Sequence, residues 1–227
     1  MSTILITGAN RGLGLEFAKQ YAADGWRVIA ACRDPAKASD LSAAAGDIQI
    51  ETLDVDDQAS VDRLAEKLKD DAIDLLINNA GIYGPRHLPA EDMDYEAWGQ
   101  VLRTNTMSPF RVTMAFLPHV KKSDKKVIAT LSSKLGSLKG NRGGGEYIYR
   151  SSKAALNTVM KGLSFDIADD GVSFVLLHPG WSSTDMGGPN APVKPADGVA
   201  GLIKVLAGIK SGETCVYYDY EGNELDW

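Results

Sequence analysis

The chain has 227 residues, a formal charge of −6 and an isoelectric point near 5.1. That length suits one α/β domain with a core large enough to stand without staples, and the acidic balance argues against a nucleic-acid partner. The two cysteines, Cys32 and Cys215, lie far apart in ordinary strand-like runs, so a reducing compartment fits and a disulfide framework does not.

From the N-terminus, MSTILITGAN has no cationic start and only a short apolar run, so no signal peptide is expected. No stretch approaches ~18 uninterrupted apolar residues, so no membrane span is expected and a cytoplasmic location is. TILIT (3 to 7) is the first of seven short apolar runs. It is followed by RVIAAC (27 to 32), IQIETL (48 to 53), DLLIN (74 to 78), KVIATLS (126 to 132), SFVLLH (173 to 178) and TCVYY (214 to 218). These runs are apolar without period-two alternation, which marks strands buried on both faces. Helical patterns lie between them at residues 12 to 24, 58 to 70, 95 to 117, 149 to 169 and 196 to 209. Such alternation predicts βαβ units with right-handed crossovers, a doubly wound parallel sheet with helices on both faces. No repeat or linker divides the chain, so residues 1 to 227 are read as a single domain. GSLKGNRGGGE (136 to 146) and PGWSSTDMGGPNAPVKP (179 to 195) break the rhythm. Both follow the C-terminal end of a predicted strand, the edge where open α/β sheets bind ligands. They are read as active-site walls, substrate loops at 134 to 147 and 181 to 195, with residues near 83 to 94 expected to share in the substrate pocket.

The turn between the first strand and the first helix is TGANRGLG, with Gly8, Gly12 and Gly14 spaced G-x-x-x-G-x-G. Glycines there let the backbone turn tightly and approach a pyrophosphate, whose charge is met by N–H groups at the helix start. The second strand ends AACRD, placing Arg33 where a carboxylate would accept a ribose 2′-hydroxyl. An arginine instead offers forked donors to a 2′-phosphate, and Arg11 adds a second cation, so NADP(H) is expected over NAD(H). In YIYRSSKAAL (147 to 156), Tyr149 and Lys153 stand at i and i+4 and leave one helix face a turn apart. A phenol beside an ammonium is pushed towards its ionised form. The pair suits proton transfer, or it is simply a helix start with an amphipathic neighbour; the spacing alone leaves both open.

Seven motifs then occur in order: TGANRGLG (7 to 14), DV (54 to 55), NNAG (78 to 81), Asn105 in TNTMSP, LSS (131 to 133), YRSSK (149 to 153) and HPGWSST (178 to 184). Together they resemble the single-domain short-chain dehydrogenases/reductases over essentially the whole chain. YRSSKAALN, HPGWSSTDMGG and the ending YYDYEGNELDW are most similar to the C-factor-like and carbonyl reductase-like branch. The resemblance implies a Rossmann sheet of about seven strands in the order 3-2-1-4-5-6-7. It also implies NADPH-dependent hydride transfer between the nicotinamide and a small carbonyl or alcohol. Tyr149 would be the general acid/base, Lys153 would supply charge and hold the nicotinamide ribose, Ser133 would bond the substrate oxygen, and Asn105 would hold a relay water. Ser132 competes with Ser133; Gly136 at the family's usual offset favours Ser133, although sixteen residues separate Ser133 from Tyr149, with the extra length in KGNRGGGE. Tyr147 stands off the face that Tyr149 shares with the lysine.

Cofactor contacts implied by position are Gly8, Asn10, Arg11, Gly12, Leu13, Gly14 and Arg33. To these are added Asp54 and Val55 at the adenine, Asn79, Ala80 and Gly81 behind its ribose, and Pro179, Gly180 and Thr184 at the nicotinamide, with Tyr149 and Lys153. Trp181 either faces substrate or packs its own loop. His87, His119 and His178 are scattered without ligand spacing, so no metal is expected. The family implies a homo-oligomer, dimer or tetramer, paired through helices 95 to 117 and 149 to 169, where Val112, Phe116, Leu156 and Met160 suit an interface or a core equally. Two other readings are a non-catalytic NADP(H)-binding signalling or scaffold protein on the same fold, and a nucleotide-sugar epimerase or dehydratase.

Overall fold

The computed structural model describes residues 1–227. In chain order its main elements are β1 (Thr3–Thr7), α1 (Gly12–Ala23), β2 (Arg27–Cys32), α2 (Ser39–Ser42), β3 (Ile48–Thr52), α3 (Gln58–Lys67), β4 (Leu75–Asn78), α4 (Tyr95–Leu102), α5 (Ser108–Lys121), β5 (Val127–Leu131), α6 (Tyr147–Asp166), β6 (Ser173–His178), α7 (Pro195–Ala207) and β7 (Val216–Asp219). All seven strands pair in parallel, in the order β3-β2-β1-β4-β5-β6-β7. The order reverses between β1 and β4, and that switch point opens a crevice at the C-terminal edge of the sheet.

The five inner strands are buried on both faces and feed two cores; β3 and β7 are not, because each stands at an edge of the sheet and is half-buried along much of its length. Ile4, Ile6, Val28 and Ala30 turn to one face and pack with Phe17, Tyr21 and Leu202 from α1 and α7. Leu5, Ile29 and Leu76 turn to the other and meet Val112 and Phe116 of α5 and Leu156 and Met160 of α6. Those four helix residues are 0% exposed, so they belong to the core and not to an interface. Truncating one of the larger, such as Phe116→Ala, costs about 3–5 kcal/mol for a buried aromatic. The large apolar side chains that α5, α6 and the turn before α5 leave exposed are Met107, Phe110, Met114, Tyr147 and Phe165.

The single helix expected over 95 to 117 is interrupted. Residues Arg103–Met107 form a π-helical turn between α4 and α5. There the ladder slips by one position, the Ser108 amide donating to the Arg103 carbonyl five residues back, and Pro109, which has no N–H to give, follows directly. Asp56 secures the turn from outside, accepting hydrogen bonds from Thr104 Oγ1 and Ser108 Oγ, both at 2.6 Å. Helix α6 likewise begins at Tyr147, two residues before the expected start. Glu146 precedes it with a left-handed backbone, φ 51°, a conformation that a non-glycine residue rarely adopts.

Candidate functional site

At one end of the crevice, β1 runs through Gly8, φ +65°, and Gly12, φ +56°, into α1. Both backbones lie in the left-handed region, where a Cβ is disfavoured. Gly14 serves a different need, since a Cβ there would stand 2.3 Å from the Gly8 carbonyl oxygen. No side chain caps α1, so its first N–H groups face the crevice unshielded, a site suited to an anion. Asn79 ties β4 to this loop, its Nδ2 donating to the Thr7 and Gly8 carbonyls at 2.8 and 3.1 Å. Thr7 Oγ1 in turn accepts from the Asn79 and Ala80 amides, both at 3.0 Å.

A cleft of about 300 Å³ runs from the glycine loop past Arg33, Asp54 and Val55 to Leu131, Ser132, Tyr149 and Lys153. Of the residues expected at the cofactor, Asn10, Arg11, Leu13, Ala80, Gly81, Pro179 and Thr184 also line it, with Gly8, Gly12 and Asn79. Gly14 and Gly180 do not. Gly14 lets the helix close on the loop, and Gly180 packs against Tyr220 and Val193. Asp34, adjacent to Arg33, is engaged by Lys37 at 3.0 Å, which leaves the Arg33 guanidinium free to meet an anion. Arg11 is paired instead, to Asp185 of the loop after β6 at 2.7 Å.

At the other end, Tyr149 and Lys153 are 8% and 6% exposed and share one face of α6. Lys153 Nζ donates to the Leu131 carbonyl at 2.8 Å and lies 5.7 Å from the centre of the Tyr149 ring. Burial lowers the lysine to about 8. Burial also raises the phenol well above its ordinary value, and Tyr83 adds to that. The Ser133 hydroxyl and the Arg86 guanidinium pull it back down. The expected effect of the Lys153 charge on the phenol is therefore not what this arrangement displays. The ammonium is turned to a main-chain carbonyl, and the cation that draws the phenol down is Arg86.

Ser133 caps the 3₁₀ turn at Lys134–Gly136, its Oγ accepting from the Leu135 amide at 3.2 Å, and its hydroxyl is the neighbour that lowers Tyr149. Ser132 lines the cleft, but its hydroxyl is taken by Asn157 Oδ1 at 2.5 Å. Asn105 is 0% exposed and stands behind the cleft. Its Oδ1 accepts from the Ile82 amide at 2.9 Å, and its Nδ2 donates to the Ile82 carbonyl and Ser152 Oγ at 2.8 and 3.0 Å. Both polar atoms of the side chain are thus already engaged by the protein. Tyr147 is half-exposed, away from the pair, and Trp181 packs its own loop, donating to the Gly187 carbonyl at 2.7 Å while 57% exposed.

Tyr83, Arg86, Asp56 and Asp185 escape a reading by motif, because each acts across the fold on a segment far away in the chain. Tyr83 and Arg86 sit in IYGPR directly after NNAG, where no periodicity or spacing marks them.

The short chain dehydrogenase family model matches residues 2–194. The chain belongs to that family, in its C-factor-like and carbonyl reductase-like branch. It is 41% identical over 155 residues to the C-signal of Myxococcus xanthus, spanning 68% of this chain and 93% of that one. With the 1-hydroxy-2-glutathionyl-2-methyl-3-butene dehydrogenase of Rhodococcus sp. (strain AD45) it shares 34% identity over 234 residues, 100% of both chains. The NADPH-bound carbonyl reductase from chicken fatty liver superposes with a TM-score of 0.89 at 34% identity, covering 100% of this chain and 99% of that one.

Proposed function

We propose that this protein is an NADP(H)-dependent oxidoreductase that interconverts a small-molecule carbonyl and its alcohol in one domain spanning residues 1 to 227. The observation that carries the reading is the cleft itself. It joins an anion-seeking glycine loop and a free Arg33 to a buried Tyr149–Lys153 pair. The NADPH held by the chicken carbonyl reductase supports the choice of cofactor. The glycine loop would take the pyrophosphate, Asp54 and Val55 the adenine, and Arg33 the 2′-phosphate. Arg11 would join Arg33 by leaving Asp185, an exposed pair of the kind that contributes only ~0–1 kcal/mol.

When bound, the nicotinamide supplies or accepts the hydride. Tyr149 keeps its proton at neutral pH because burial disfavours the phenolate. It is therefore ready to donate to an oxygen that gains charge as a carbonyl is reduced. Ser133, on the same side of the phenol, would bond that oxygen and stabilise the developing charge. Lys153, lowered to about 8, exchanges protons near neutral pH. It would hold the nicotinamide ribose and return a proton to Tyr149 through a water held by Asn105. Assembly as a homo-oligomer would use the exposed Met107, Phe110 and Met114 together with Phe165.

NADPH oxidation with a panel of aldehydes, ketones, diketones and quinones, beside NADH, tests the reading. Turnover that prefers NADPH is expected; bound NADPH with no turnover on any of them would refute it. A non-catalytic signalling role is the second reading, favoured by the 41% identity to a protein named C-signal.

A further inference from the structure

The loop after β4 places two side chains on the proposed proton donor. The Tyr83 ring stacks on the Tyr149 ring with centroids 4.2 Å apart and planes 12° from parallel. The Arg86 guanidinium lies 4.0 Å from the centre of the Tyr83 ring. A 4.2 Å stack has no room for it between the rings, so it covers the outer face. Its Nη2 also donates to the Met186 carbonyl, in the loop after β6. A three-layer stack of guanidinium, Tyr83 and Tyr149 thus joins both walls of the substrate end.

We propose that Tyr83 and Arg86 are positioning residues for Tyr149. Tyr83 holds the plane of the phenol, and Arg86, anchored on Met186, keeps Tyr83 in place and a positive charge over the stack. The inference rests on Tyr149 being the proton donor. A phenol has a broad, two-fold torsion about its ring bond, so a parallel ring against one face selects its orientation. Proton transfer needs that orientation, because small misplacements of reacting groups are costly in rate. The groups facing Tyr149 are Lys153 from its own helix, Ser133 after β5, Tyr83 and Arg86 after β4, and Tyr217 of β7. Glu146 and Arg150 act on Tyr83 beside it. Arg86 is the cation among them that draws the phenol towards ionisation.

The test is steady-state kinetics in both directions on Tyr83→Phe, Tyr83→Leu, Tyr83→Ala, Arg86→Gln and Arg86→Lys, with Tyr149→Phe as control. Tyr83→Phe keeps the stack and is expected within about twofold of wild type, whereas Tyr83→Leu and Tyr83→Ala lose roughly 10-fold or more in kcat with NADPH affinity unchanged. Tyr83→Leu preserves bulk and serves if the alanine variant fails to fold. Alcohol oxidation needs the phenolate, so its rate rises with pH. Arg86→Gln should move that rise upward by roughly half a pH unit at this range and exposure, and Arg86→Lys should restore part of it. Wild-type kcat in Tyr83→Leu and Tyr83→Ala, with Tyr149→Phe inactive, overturns the positioning role alone. Equal losses in Tyr83→Phe and Tyr83→Leu also overturn it. Turnover by Tyr149→Phe overturns the underlying assignment of the proton donor.

Discussion

The two ends of the cleft are built in different ways. The glycine-loop end is made of main chain: positive-φ backbone at Gly8 and Gly12, the Gly14 contact, and Asn79 bonded to the Thr7 and Gly8 carbonyls. The substrate end is made of side chains from three separate loops, joined by contacts such as His87–Glu146 at 3.2 Å and Arg86 to the Met186 carbonyl. Those contacts are largely exposed, where screening leaves little net energy. A main-chain site tolerates almost no change of residue type but accepts any ligand with the same phosphates. A side-chain site re-forms readily when a loop residue changes. Within one family the first is therefore expected to define the cofactor and the second to vary with substrate.

Substitutions that strike each end separately can break this contrast. The largest effect is expected from Gly14→Ala, whose new Cβ meets backbone at Gly8 and not a side chain able to move. It should cost about 2–4 kcal/mol in unfolding free energy and abolish NADPH binding. A stable, NADPH-binding variant would show that the loop is less rigid than its contacts imply.

Next comes Lys153, with its proton affinity lowered from 10.5 in an exposed lysine to about 8 here. Between those values the unfolded chain holds a proton that the folded chain has released, so stability rises with pH across that window. Relative to Lys153→Met, the wild-type protein should gain roughly 2 kcal/mol between pH 8 and pH 10, measured by urea unfolding. Parallel curves for the two proteins would contradict the burial of the charge.

Arg33→Ala is expected to weaken NADPH binding roughly tenfold and leave NADH binding unchanged, as the loss of a charge-assisted phosphate contact requires. An equal loss for both nucleotides would move the 2′-phosphate elsewhere. The smallest effect belongs to Asp185→Asn, which frees Arg11. Stability should change by less than ~0.5 kcal/mol, and NADPH should bind about two- to threefold more tightly.

The same contrast governs what can be read before folding. The five inner strands are visible as unbroken apolar runs because they are buried on both faces, whereas the edge strands β3 and β7 are partly exposed and show only as short apolar-rich runs. The helix break at Arg103–Met107 is hidden, because the apolar pattern runs straight through it and Pro109 stands two residues past its end. Gly136 already favours Ser133 over Ser132 in the sequence, whereas the Asn157 oxygen that occupies the Ser132 hydroxyl from α6 cannot be read there. The start of α6 is hidden because Glu146, not glycine, adopts the left-handed turn before it. Tyr83 and Arg86 carry no pattern whatever: a stack between side chains 66 residues apart exists only once the sheet has brought the two loops to one edge.

The chemistry proposed for the substrate end turns on Tyr149 moving the proton. The direct measurement is turnover of Tyr149→Phe with NADPH and the best carbonyl substrate, beside NADPH binding by fluorescence titration. A loss of at least roughly 10²–10³-fold in kcat, with NADPH affinity kept, is the predicted result. Retained turnover, with NADPH bound as in wild type, would contradict it and assign the proton to another group.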